Sequence, residues 1–186
     1  MKDIRTKILY TNPLSIVGFR KNRAVADFYP TPDYAVEELL KRISFAGSIW
    51  EPACGDGAIA RFFPNCLATD LRTDLGYGEG GIDFLTEQRQ VNNIITNPPY
   101  SLAQRFIEHS LECADKKVVM LLKLVFLESI GRKSLFDKNM LQTVYVFRRR
   151  LKIYKDGVMG KNSGLIAYAW YVWDKKYNGS PKIEWI

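Results

Sequence analysis

The sequence predicts an α/β fold on a mostly parallel sheet, and three observations carry that prediction. A short strand, Ser48-Ile49-Trp50, breaks into Glu51-Pro52-Ala53-Cys54-Gly55-Asp56-Gly57, and apolar helical spacing follows through Ala58, Ile59 and Phe62. Strand, glycine turn and helix form the first unit of a nucleotide-binding α/β fold, because glycines let backbone N–H groups come close to a ligand at a helix N-terminus. A second strand, Cys66 to Asp70, ends in an acid 19 positions after Glu51, where such folds hold ribose hydroxyls. Finally, Val118 to Leu127 is a continuous apolar run rich in Val and Leu, as expected of a strand buried on both faces.

Taken in order, residues 1–27 read as a basic arm and 28–186 as one domain, with no internal repeat or linker. After Phe28-Tyr29-Pro30, Thr31 is placed to cap a helix that starts at Pro32 and carries Asp33 at its positive end. Val36, Leu39, Leu40 and Ile43 mark its buried face. The glycine spacing after Trp50 is not G-x-G-x-x-G, which argues against a dinucleotide pyrophosphate. Glu51 would repel phosphate but attract an ammonium or sulfonium group. Beyond the Gly76–Gly81 loop, Asp83 is placed to accept from an adenine amine and Phe84 to cover its ring. A loop aspartate beside a core phenylalanine is the plainer alternative.

Val91 to Thr96 reads as a strand leaving into Asn97-Pro98-Pro99-Tyr100. The two prolines hold φ near −65°, so the Pro98 carbonyl points one way beside the Asn97 side-chain carbonyl. Two converging acceptors suit a planar NH2 group, and Tyr100 offers a flat face to a ring. A proline-stiffened turn with incidental neighbours is the alternative. Ala103, Phe106, Ile107, Ser110, Leu111 and Ala114 then repeat with helical spacing, which leaves His109, the single histidine, on the polar, solvated face. Lys123 interrupts the apolar run, with snorkelling to the sheet edge as its simplest reason. A helix through Ser134 to Phe136, a strand from Thr143 to Phe147 and a Tyr- and Trp-rich strand from Leu165 to Trp173 complete the reading.

At 186 residues, 47% hydrophobic and 25% charged, the chain has ordinary globular composition and length for a real core. No apolar run approaches the roughly 20 residues of a membrane span, and the N-terminus lacks the apolar core of a signal peptide. Three cysteines, Cys54, Cys66 and Cys113, show no metal-ligand or redox spacing. No metal is expected, and a reducing, cytoplasmic setting fits (that of the host cell if the chain is phage-encoded). The net charge of +7 is concentrated in two segments: residues 1–26 and 148–161 each hold six basic side chains against one acidic. Arg20, Lys21, Arg23, Arg148, Arg149, Arg150 and Lys152 are therefore candidates for a nucleic-acid partner rather than a membrane. A solvated surface is the alternative.

With these residues assembled, the chain resembles the S-adenosylmethionine-dependent DNA adenine-N6 methyltransferases, most closely small phage-type members. Phe28-Tyr29-Pro30-Thr31-Pro32, the Glu51 to Gly57 loop and Asn97-Pro98-Pro99-Tyr100 carry the resemblance, in the order of one family subgroup. It implies a class I methyltransferase Rossmann-like three-layer sandwich with a mostly parallel seven-stranded sheet, the last strand antiparallel. It also implies that Tyr29, Thr31, Glu51, Ala53, Gly55 and Gly57 surround the methionine part of S-adenosyl-L-methionine. Asp70 would hold the ribose, and Asp83 and Phe84 the adenine. Asn97, Pro98, Pro99 and Tyr100 would form the catalytic loop, receiving and stacking the target base. Many members carry a large target-recognition segment, for which this chain has no room, so relaxed sequence selectivity is expected unless a protein partner or second copy supplies it. RNA adenine, a protein glutamine, or a silent nucleic-acid-binding role on the same fold are the competing expectations.

Overall fold

The computed structural model describes residues 28–137, 140–154 and 166–186. Among these, the strands β1 (Ile49–Glu51), β2 (Leu67–Asp70), β3 (Glu79–Gly80), β4 (Val91–Thr96), β5 (Ala114–Lys123), β6 (Leu141–Val146), β7 (Tyr168–Asp174) and β8 (Lys182–Trp185) form one sheet in the order β3-β2-β1-β4-β5-β7-β6-β8. Only β7 runs against its neighbours, so the first seven strands make the expected sheet. The eighth is a correction: Lys182–Trp185 pairs in parallel with β6 and adds an edge where a closing tail was expected.

Strand alternation divides the core between two faces. Ile94, Val118, Met120, Tyr171 and Trp173 pack beneath α2 (Ala103–Cys113). Ile95, Val119, Leu121, Trp170 and Val172 pack against α1 (Asp33–Leu40). Trp170 Nε1 also donates to Ala35 O at 2.8 Å, tying α1 to the central antiparallel strand. The expected apolar positions of α2 are buried, apart from Ala114, which is buried as the first residue of β5.

Several boundaries differ from expectation for local reasons. The turn after Gly57 closes into a 3-10 helix, Ala60–Phe62, rather than a full helix. Phe63 precedes Pro64 and is extended, as the proline ring requires. α1 stops at Leu40 instead of reaching Ile43. The apolar run expected as Val118–Leu127 is instead a strand up to Lys123 followed by a 3-10 turn, Leu124–Leu127. Tyr171 Oη donates to the carbonyls of Lys123 and Leu124 there, at 3.2 Å each. His109 is not solvated: its ring is 12% exposed, stands edge-on to Phe84 at 4.8 Å, and Nε2 donates to Glu87 O at 2.8 Å.

The order reverses between β1 and β4, because β2 and β3 lie on one side of β1 and β4 and β5 on the other. Loops leaving the C-terminal ends of β1 and β4 diverge there and leave a crevice, the usual ligand site of open α/β sheets. Those two loops carry Glu51 to Gly57 and Asn97 to Tyr100.

Candidate active site

The crevice is an open cleft bordered by both loops, and concave surfaces of this kind are where small molecules bind. Phe28, Tyr29, Pro30 and Thr31 line it together with the β1 loop and with Asn97, Pro99 and Leu102. Leu71, Ile82, Leu85 and Phe106 give the far end an apolar lining fit for a flat ring. Ala53, Gly55, Asp70, Asp83 and Phe84 also border it.

Glu51 sits at the end of β1, 1% exposed, with Oε2 buried and unpartnered. Burial is the main cause that raises its pKa well above 4.5, with Asp70 and Asp56 adding repulsion against a backbone hydrogen bond at Ala60. A buried acid with an orphan oxygen is poised for a cation that arrives with its own hydrogens. Asp70, at the end of β2, accepts from Gly55 N through Oδ2 and from Arg72 N through Oδ1, each at 2.8 Å. A carboxylate offers about four acceptor sites, so each oxygen keeps one direction for a ligand while the backbone fixes its orientation. Gly55, at φ +56°, lies against Phe28, and a Cβ there would come within 2.5 Å of that ring. Gly57, expected at the cofactor, instead faces Tyr77 at φ +81°, and its amide donates to Cys54 O at 2.8 Å. It shapes the loop, and like Pro98 and Tyr100 it is not among the residues that line the cleft.

Asp83 Oδ1 accepts from Leu85 N at 3.0 Å and caps a 3-10 turn, Phe84–Thr86. The Phe84 ring is 2% exposed and held among Trp50, Phe106 and His109 at 4.8–5.0 Å. It therefore supplies wall, not an open stacking face. Thr31 does not cap α1 either. Pro32 is the N-cap residue without a side-chain bond, and Thr31 Oγ1 accepts from Asn97 Nδ2 at 3.2 Å.

Asn97 Nδ2 also donates to Tyr29 O, at 2.9 Å. Both hydrogens of the amide are thus committed, while Oδ1 is buried with no partner. This pairing locks the catalytic-loop candidate to the Phe28–Thr31 segment across 66 to 68 positions of sequence. Pro98 is buried and Pro99 half-buried. The Tyr100 ring lies between Tyr29 and Tyr168, each 5.7 Å away. Its hydroxyl is buried beside Tyr168 and Asn97, and burial is the main cause that raises its pKa well above 10. Lys123 Nζ stands 4.8 Å from the Tyr100 ring centroid, a cation–π contact. The sequence reading had no role for this lysine or for Tyr168; the signal for Lys123 was a charge interrupting an otherwise apolar strand.

Arg148, Arg149, Arg150 and Lys152 are exposed on the segment leaving β6, whose C-terminal end lies on the same sheet edge as the cleft because β6 runs with β1, β4 and β5. Arg20, Lys21 and Arg23 fall outside the described residues. Among the described residues no group of His, Cys, Asp and Glu is arranged to hold a metal, and no helix is long and apolar enough to cross a membrane.

No protein-family model matches the sequence, and no curated protein matches it. Solved structures do match the fold. A candidate RNA methyltransferase from Pyrococcus horikoshii superposes with a TM-score of 0.62 at 16% identity, covering 85% of this chain and 91% of that one. The M protein of the type I restriction enzyme EcoKI gives 0.60 at 12% identity, covering 83% of this chain and 47% of that protein. A candidate class I S-adenosylmethionine-dependent methyltransferase from Listeria monocytogenes gives 0.56 at 11% identity, covering 83% and 62%. The chain has the class I methyltransferase fold. Its cleft lies at the switch point of that sheet.

Proposed function

We propose that the chain is an S-adenosyl-L-methionine-dependent methyltransferase acting on the exocyclic amine of adenine in DNA. The observation that carries this reading is the state of Asn97, whose NH2 is engaged by Tyr29 and Thr31 while its carbonyl oxygen is buried and unpartnered. A lone, oriented acceptor on a residue that lines the cleft is what an incoming N–H group requires.

The cleft's own residues fit the cofactor. The orphan Oε2 of Glu51 suits its ammonium group, the spare lone pairs of Asp70 suit its ribose diol, and the apolar end with Leu71, Ile82, Leu85 and Phe106 suits its adenine. When bound, it supplies an electrophilic methyl group on a sulfonium centre. The chain's contribution is positioning and electrostatics. Asn97 Oδ1 accepts one amine hydrogen and, with the Pro98 carbonyl, draws the delocalised lone pair of adenine back onto nitrogen. Tyr100, flanked by Tyr29, Tyr168 and Lys123, would stack on the target base once one of these neighbours moves aside. Base extrusion costs a few kcal/mol, and stacking on the Tyr29-Tyr100-Tyr168 row would offset part of it. No covalent nucleophile is needed: burial holds the Cys54 thiol at a pKa of about 12.

The exposed Arg148, Arg149, Arg150 and Lys152 would meet the phosphate backbone on the cleft's edge, together with Arg20, Lys21 and Arg23 of the arm. Such contacts position a polyanion without reading its sequence, so relaxed selectivity follows, or selectivity lent by a protein partner or a second copy. The test is transfer of labelled methyl from S-adenosylmethionine to separate duplex DNA, RNA and protein acceptors. DNA labelled on adenine supports the reading. Label confined to RNA or to a glutamine side chain would replace it.

A further inference from the structure

The segment after Lys123 carries three apolar side chains turned to water: Val125 at 59%, Leu127 at 37% and Ile130 at 96% exposure. Single exposed apolar residues are ordinary. Three within six positions, at the end of the strand whose last residue touches Tyr100, are a local concentration with no folding reason. The segment is also firmly held. Arg132 donates to the carbonyls of Phe126 and Glu128 at 2.9 Å each, and its guanidinium lies 4.3 Å over the Phe126 ring. Phe126 is buried against Tyr171 and Phe136. Ser129 Oγ accepts from Gly131 N at 3.1 Å, which fixes the tip beside Ile130.

We propose that this arginine-clasped loop, with Ile130 at its tip, is a wedge that enters the base stack of duplex DNA and helps release the target base toward Tyr100. The inference rests on the nucleic-acid reading above and deepens it. Architectural proteins unstack bases with rigid apolar side chains of this kind, and a wedge works only if its base does not yield, which is what the Arg132 clasp provides. β5 ends on the same sheet edge as the exposed arginines after β6, so a duplex held by its phosphates there would lie across the loop. A wedge has a use only where the target is stacked and paired. RNA is mostly read on unpaired segments whose bases are already accessible, and that consideration favours duplex DNA as the partner.

The test compares methylation of one adenine in duplex DNA with methylation of the same adenine in a single strand, using the unmodified protein, Ile130→Ser and Ile130→Leu. Burying an isoleucine between bases stabilises the opened state enough that the duplex-to-single-strand rate ratio should fall about tenfold in Ile130→Ser. It should stay near the unmodified value in Ile130→Leu. A mismatched target, already loosened, should restore the ratio in Ile130→Ser. In parallel, 2-aminopurine at the target position should brighten when the unmodified protein binds, and clearly less with Ile130→Ser. An unchanged ratio and unchanged brightening in Ile130→Ser would overturn the wedge while leaving the methyltransferase reading intact. Failure of the unmodified protein to methylate either DNA form would overturn both.

Discussion

Glu51 is the side chain whose surroundings dictate most about the chemistry at the residue scale. Its carboxyl is buried and its pKa raised, chiefly by desolvation. The folded state therefore holds a proton that the unfolded state gives up nearer pH 4.5. Between that pH and the raised folded value the native chain binds more protons than the unfolded one, so Glu51's contribution to stability falls as pH rises through that window. Glu51→Gln should accordingly raise the melting temperature of the ligand-free protein at neutral pH and flatten its decline above pH 4.5, as read by thermal melts across pH. The same substitution should weaken S-adenosylmethionine roughly 10–100-fold by calorimetry, since a charge-assisted bond is lost. A variant with unchanged melting and unchanged affinity would mean that Glu51 is neither strained nor a ligand. Asp70 differs in kind: two backbone donors orient it before any ligand arrives.

The informative units at the element scale are the loops leaving β1 and β4, together with the Phe28–Thr31 segment that Asn97 fastens to them. Most of the sheet was legible in the sequence because β-period burial is strong: Val118 to Leu122 and Tyr168 to Trp173 leave no polar face. What was not legible is where backbone and side-chain bonds outcompete pattern. Thr31 looked like a helix cap, yet its hydroxyl serves Asn97. The run through Leu127 looked like strand, yet Tyr171 captures the carbonyls at its turn. Pro64 shortened a helix that the apolar spacing alone suggested. Gly57 was placed at the cofactor on sequence but packs on Tyr77. Gly57→Ala should therefore act on folding: a left-handed alanine costs about 1–2 kcal/mol, and its Cβ would meet the Tyr77 ring at 2.5 Å. Thermal melts should show the loss. Undiminished stability would mean that the β1 loop can relax around the change.

The acids, the amide, the tyrosine row and the basic segment all lie on one edge at the scale of the whole molecule, because every strand but β7 shares a direction. On the proposed reading, a substrate bridging cleft and basic segment is extended and anionic. DNA affinity should fall steeply with salt, by about 0.9 log units per log unit of salt for each phosphate neutralised. Arg148→Gln with Arg149→Gln should flatten that slope by about 1.8, and weaken all sequences alike. A slope unmoved by both changes would shift the nucleic-acid contact away from this edge. The central claim concerns Asn97, and single-turnover methyl transfer to DNA at saturating S-adenosylmethionine tests it most directly. Asn97→Ala should lower the transfer rate roughly 10²–10³-fold, the usual loss for one oriented charge-stabilising partner, with cofactor affinity only modestly weakened through the freed Tyr29–Thr31 segment. Transfer at close to the unmodified rate would contradict the claim and assign Asn97 to holding that segment alone.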